Sequence, residues 1–195
     1  MSLDWRARCA ARKKQQLDSI PTEWLIDVPP VERRNVMDVP RECGLLTPRE
    51  MEITETVDVE YMLQKLRSAE WSSVEVTTAF YKRAIIAQQL VCIFLGNRCS
   101  QLPKLLTYIL RQVNCLTEIF VERALARAKE LDDLLERTGK VMGPLHGLPI
   151  SIKDQFTMKG LETIMGARIC VVMSATFSCD VDSRICFLDW QRCRF

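Results

Sequence analysis

Histidine is almost missing: the 195 residues contain one, His146. A metal centre built on several imidazoles is therefore excluded, and a Ser-His-Asp triad would have only His146 to use. Charge of one sign is missing too, with 27 basic against 25 acidic side chains and a net charge of +2. Nucleic-acid binding demands a dominant basic field, so no nucleic-acid partner is expected. The basic run from Arg6 to Lys14 reads instead as the solvated face of a helix. There is no run of about 18 apolar residues, which excludes a helix that crosses a bilayer. No N-terminal segment joins a basic region to an apolar core and a small-residue cleavage site. Cys-x-x-Cys pairs are absent although cysteines number nine. An odd count without ligand spacing speaks against a metal site or a disulfide framework and for a reduced, cytoplasmic setting with no membrane partner. Nor is there a P-loop, since Gly139-Lys140 is followed by no Ser or Thr and lacks the spaced glycines.

What is present suits a globular protein: apolar residues make up 48% and charged residues 27%, enough for one ordinary domain. Residues 1 to 19 carry a thin apolar stripe (Leu3, Ala7, Ala10, Leu17), which predicts a helix laid on the outside of something larger. Ile20 to Pro40 holds four prolines and little periodicity, which predicts an extended arm. Trp5 and Trp24 are the expected packing anchors of the helix and the arm. Thr47-Pro48-Arg49-Glu50 is a helix start, with a capping threonine, a proline at the first helical position and a glutamate to complete a capping box. A short helix follows from Asp58 or Val59 to Ser68, with Val59, Met62, Leu63 and Leu66 on one side. Ser72-Ser73-Val74-Glu75 offers a second capping box, opening a helix to about Leu90 whose stripe is Val76, Phe80, Ala84 and Ala87. A third strong helix is predicted from about Thr117 to Glu136, with Phe120, Ala124, Ala128, Leu131 and Leu135 in line and Gly139 placed to end it.

The most informative stretch is Gly143-Pro144-Leu145-His146-Gly147-Leu148-Pro149-Ile150-Ser151-Ile152-Lys153-Asp154. Glycines and prolines crowd its first half, which predicts a tight irregular loop. Leu148, Ile150 and Ile152 then alternate with Pro149 and Ser151, which predicts a short strand with one well-buried face. Proline lacks a backbone donor, so Pro149 belongs at the start or edge of that strand. Lys153 would leave the strand end pointing inward or into a cleft. Against this stands the ordinary fate of lysine, a solvated side chain paired here with Asp154. His146, on a loop without a nucleophile motif, reads as structural.

From Ile20 to Gly166 the chain resembles the N-terminal part of amidase signature enzymes, above all the fungal acetamidase-like branch. The resemblance rests on Gly44-Leu45-Leu46-Thr47, Glu52-Ile53-Thr54-Glu55, Val74 to Leu90, Asn114-Cys115-Leu116-Thr117-Glu118, Ala124 to Asp132, and most specifically Gly143 to Asp154. Gly160 to Gly166 extends it, with Ile164 where the family usually has a second threonine. The resemblance implies an α/β fold, of which this chain would hold the N-terminal helical layer and the first strand or strands of a mixed sheet, incomplete. It also implies hydrolysis of a small-molecule carboxylic amide by a Ser–cis-Ser–Lys triad, in which Lys153 matches the catalytic lysine. No metal or organic cofactor is implied, and a homodimer is admitted.

Two departures qualify this. Val91 to Gln112 interrupts the pattern, and joining Leu90 to Val113 restores it. A retained intron is one reading, since Val-Cys can be encoded by GTATGT and Gln by CAG; a true insertion with a helix from Leu102 to Leu110 is the other. After Gly166 the resemblance stops, so residues 1–166 are expected to be the partial amidase domain and 167–195 an unrelated tail, disordered or aberrant. Ser174, Ser178 and Ser183 are not set among glycines, so no catalytic serine is assigned. The expectation is a truncated amidase of negligible activity; the alternatives are a non-catalytic helical interaction module and a non-functional gene product.

Overall fold

The computed structural model describes residues 5–30, 33, 35–90, 116, 118–152 and 186–189. Its helices are α1 (Trp5–Asp18), α2 (Val39–Glu42), α3 (Pro48–Glu55), α4 (Val59–Arg67), α5 (Ser73–Gln89) and α6 (Val121–Thr138), with a 3-10 turn at Thr22–Trp24. Two short strands, β1 (Pro149–Ile152) and β2 (Cys186–Asp189), pair in parallel, with Pro149 opposite Cys186 and Ile152 opposite Asp189. The segments 91–112 and 167–185 lie outside the described residues, and so do Lys153 and the tail serines.

Helices α3, α4 and α5 begin where polar side chains satisfy free backbone donors. Thr47 and Glu50 close the expected capping box on α3: Thr47 Oγ1 accepts from the Glu50 N–H at 3.2 Å and Glu50 Oε2 from the Thr47 N–H at 2.8 Å. Asp58 Oδ1 accepts from the N–H groups of Glu60 and Tyr61 at the start of α4. Helix α6 ends at Gly139, whose φ of 64° is the left-handed value that glycine adopts without strain. It starts at Val121 rather than near Thr117, because Glu118 to Phe120 run outside the helix.

Helix α5 is the hub. It packs against α2, α3, α6, the 3-10 turn and β1. Tyr81 and Ile85 join Ile20, Trp24, Leu116, Ile119 and Ala124 in one apolar cluster. Val76 and Ala79 meet Ile53, Leu63, Leu66 and Trp71 in a second, and Ile86 meets Val39, Leu46 and Leu90 in a third. The expected single stripe is therefore corrected: Val76 is fully buried, but Phe80, Ala84 and Ala87 are only half-buried, while Tyr81, Ile85 and Ile86 on other sides are sealed. A helix enclosed on several sides shows no clean 3.6-residue stripe. Helix α6, by contrast, buries Ala124, Ala128 and Leu131 of its expected row.

Among its described residues the proline-rich arm from Ile20 to Pro40 forms no regular structure apart from the 3-10 turn, a turn at Met37–Asp38 and the start of α2. It is held to α5 by Trp24, 8% exposed, and by Gln89, which donates to the Trp24 carbonyl and accepts from the Ile26 N–H, both at 3.0 Å. The Trp5 side chain lies outside what is described. Lys82 ties α5 to α3 through Glu50 at 2.7 Å. Burial alone would push the Glu50 carboxyl up; the hydrogen bonds from Lys82 and Thr47 outweigh it and hold the carboxyl below its usual range.

Candidate functional site

The Gly-Pro loop sits where α4, α5 and α6 converge. Its turns are closed by its own backbone, His146 N–H to Gly143 O and Leu148 N–H to Leu145 O, both at 3.2 Å. Arg67 of α4 donates to the Pro144 carbonyl at 3.4 Å. Gly147 has φ 75°, and a Cβ there would stand 2.4 Å from Ser73 Oγ and 3.0 Å from Leu66 Cδ2. Only glycine meets both demands, the left-handed backbone and the contact with the first residue of α5. Leu148 then packs on the cluster of Ile53, Leu66 and Trp71. The chain enters β1 at Pro149, the position where its missing donor costs nothing in a two-stranded ladder.

Strand β1 keeps the expected alternation but not the well-buried face: Ile150 and Ile152 are half-buried and Ser151 is exposed. Among the described residues the sheet has two strands. Lys153 is the next residue along the chain. Its surroundings lie outside the described residues, so the structure brings into view the approach to the expected catalytic amine and not the amine itself.

Sequence reasoning missed the polar junction beside this loop. Asp132 of α6 reaches across to the start of α5, where its carboxylate accepts from the Ser73 N–H at 2.6 Å and the Val74 N–H at 3.0 Å. Ser72 Oγ accepts from the Glu75 N–H at 3.0 Å. The predicted second capping box is therefore only half formed, because the Glu75 carboxylate is drawn to Arg49 at 3.2 Å instead. An aspartate on the polar side of a predicted helix carries no local signal for this role.

Ser73, His146 and Asp132 are the residue types of a nucleophilic triad, but their hydrogen bonds refuse that reading. His146 Nδ1 accepts from the Met142 N–H at 3.1 Å, and Asp132 is committed to backbone amides. Neither Ser73 Oγ nor His146 Nε2 has a partner among the described residues, and Ser73 is 1% exposed. A base must touch its nucleophile, and the nucleophile must meet substrate. His146 is a buried residue that ties a loop, as expected of it. Among the described residues no helix is long and apolar enough to cross a membrane.

Comparison with known proteins gives this geometry a context. The family model for amidases matches residues 107–185. An amidase of Curvularia clavata is 39% identical over 165 residues, 83% of this chain and 26% of the relative. The acetamidase of Emericella nidulans is 39% identical over 166 residues, covering 85% of this chain and 26% of that enzyme. The acetamidase of Aspergillus oryzae is 40% identical over 164 residues, with 84% and 26% covered. The chain thus spans about a quarter of the length of these relatives. A solved structure of fatty acid amide hydrolase superposes with a TM-score of 0.74 at 28% identity, over 96% of this chain and 30% of that one. The Gly-Pro loop packed on α5, the strand it feeds and these likenesses lead to one conclusion: the chain belongs to the amidase family, as a partial member matching the N-terminal part of its relatives.

Proposed function

We propose that Lys153 is the base of an amide-hydrolysing site of the Ser–cis-Ser–Lys kind, and that these 195 residues hold the amine without either hydroxyl. In this reading the chain is the N-terminal helical layer with the first strands of a mixed sheet. The observation that carries it is the loop and strand themselves: Gly147 locked on Ser73, Leu148 packed against the core, and Pro149 to Ile152 forming the strand that ends one residue before position 153.

The chemistry asks for that kind of delivery. A serine hydroxyl attacks an amide carbonyl only when a neighbouring base takes its proton. Lysine, ordinarily protonated up to about pH 10, becomes such a base when desolvation or nearby cations disfavour its ammonium form. A lysine at the end of an apolar strand is well placed for that treatment. The second serine would pass the proton on, and backbone N–H groups would hold the oxyanion. The substrate class that fits is a small aliphatic or aryl amide, met in the cytoplasm.

The experiment is an assay of the purified chain against a simple aliphatic and a simple aryl amide, beside its Lys153→Ala variant. The expected result is no hydrolysis above buffer in either. Turnover by the chain that Lys153→Ala abolishes would show that hydroxyl partners are present after all.

A second reading, a non-catalytic interaction module, is favoured by the apolar side chains left in solvent around the α3–α4 junction: Val57 is 94% exposed, Val59 50% and Tyr61 41%. A monomer that melts cooperatively in calorimetry supports a self-sufficient module. A chain that aggregates before melting supports a broken enzyme.

A further inference from the structure

His146 is the only histidine of the chain and is 4% exposed. Its Nδ1 accepts from the Met142 N–H at 3.1 Å, so the ring is neutral and carries its proton on Nε2. Met142 is held a second time by Arg127, whose Nη2 lies 3.0 Å from the thioether sulfur. The residue after His146 is Gly147, wedged on Ser73 and Leu66. A hydrogen bond, a side-chain clasp and a close packing contact thus fix the two ends of one turn.

The charged groups around the ring come from two helices. Arg127 and Asp132 of α6 face it, and Arg67 of α4 holds the Pro144 carbonyl in the same turn. Helix α5 contributes the neutral Ser73, which lies against Gly147. Asp132 already accepts from two amides of α5, so it cannot swing to an imidazolium without uncapping that helix.

We propose that His146 is an acid-sensitive latch: the neutral imidazole locks the 142–147 turn, and protonation releases that turn together with strand β1, which leads to Lys153. Protonation places an N–H on Nδ1 opposite the Met142 N–H, so two donors face each other and the bond is lost. Burial pushes the imidazole below its ordinary value; Asp132 opposes this in part and Arg127 adds to it. The folded chain therefore takes up this proton less readily than the unfolded chain. The latch is closed above the ordinary histidine value of about 6.5 and opens as pH falls from there through the folded value.

Hydrogen exchange of the Met142 amide in the full chain, corrected for the intrinsic rate, tests the latch, with the single imidazole resonance followed in the same samples. Protection should fall severalfold between about pH 7.5 and about pH 5, with the midpoint of the His146 titration. In His146→Asn the amide oxygen accepts in place of Nδ1 and does not titrate, so protection should persist across that range. Flat protection while the imidazole titrates overturns the proposal, and so does the same acid loss in H146N. Should H146N fail to fold, agreement or disagreement of the two wild-type midpoints decides. No readout depends on catalysis, so the result is independent of the role given to Lys153.

Discussion

Helices α3 and α5 open on the same kind of sequence, Thr-Pro-Arg-Glu and Ser-Ser-Val-Glu, and are closed in different ways. In α3 the box forms between residues three apart, and proline at the first position leaves no donor to satisfy there. In α5 only the serine half forms. The first two N–H groups turn to Asp132, 59 and 58 residues away in sequence, and Gly147 closes over the same turn. The lesson is that the same local motif can close a helix start whole, as on α3, or only in part, as on α5. At the start of α5 the local Glu75 pairs with Arg49, while a carboxylate that arrives across the fold satisfies the first two amides. Such a partner brings its own helix with it, so one ion at the start of α5 also sets the packing of α6 and the seat of the Gly-Pro loop.

That contrast can be broken from its enclosed side first. Gly147→Ala meets both a left-handed φ and the Ser73 hydroxyl, and should cost about 3 kcal/mol in denaturant unfolding. Asp132→Ala strands two amide donors and should cost about 2 kcal/mol, while Asp132→Asn recovers part of it through its one remaining carbonyl oxygen. Thr47→Ala, on the local side, should lower stability by about 1 kcal/mol, the usual worth of an N-cap. Glu75→Ala removes only a half-exposed pairing with Arg49, and its midpoint should move by no more than about 0.5 kcal/mol. A loss from Asp132→Ala no larger than that from Thr47→Ala would erase the distinction between the two helix starts.

Legibility in the sequence follows the same division. The box on α3, the row on α6 and its glycine stop are written within a few residues and could be read there. The turn and the start of the strand could be read too, because Gly147 and Pro149 tolerate so few backbone settings. The enclosure of α5 could not. Tyr81, Ile85 and Ile86 serve clusters on different sides, and several faces in one helix blur any single period. Strand β2 was equally unannounced: Cys-Phe-Leu-Asp carries no alternation, and its pairing depends on β1.

By itself, then, the sequence determined the helices with local caps, the glycine-proline turn and the amidase likeness. The tertiary structure alone decided which faces of α5 are core, that Asp132 satisfies its first two amides while Glu75 pairs with Arg49, and that His146 ties Met142 beneath Arg127. The reason is physical. Backbone geometry and capping are settled among neighbours a few bonds apart, whereas burial and long-range hydrogen bonds depend on which distant segments exclude water together.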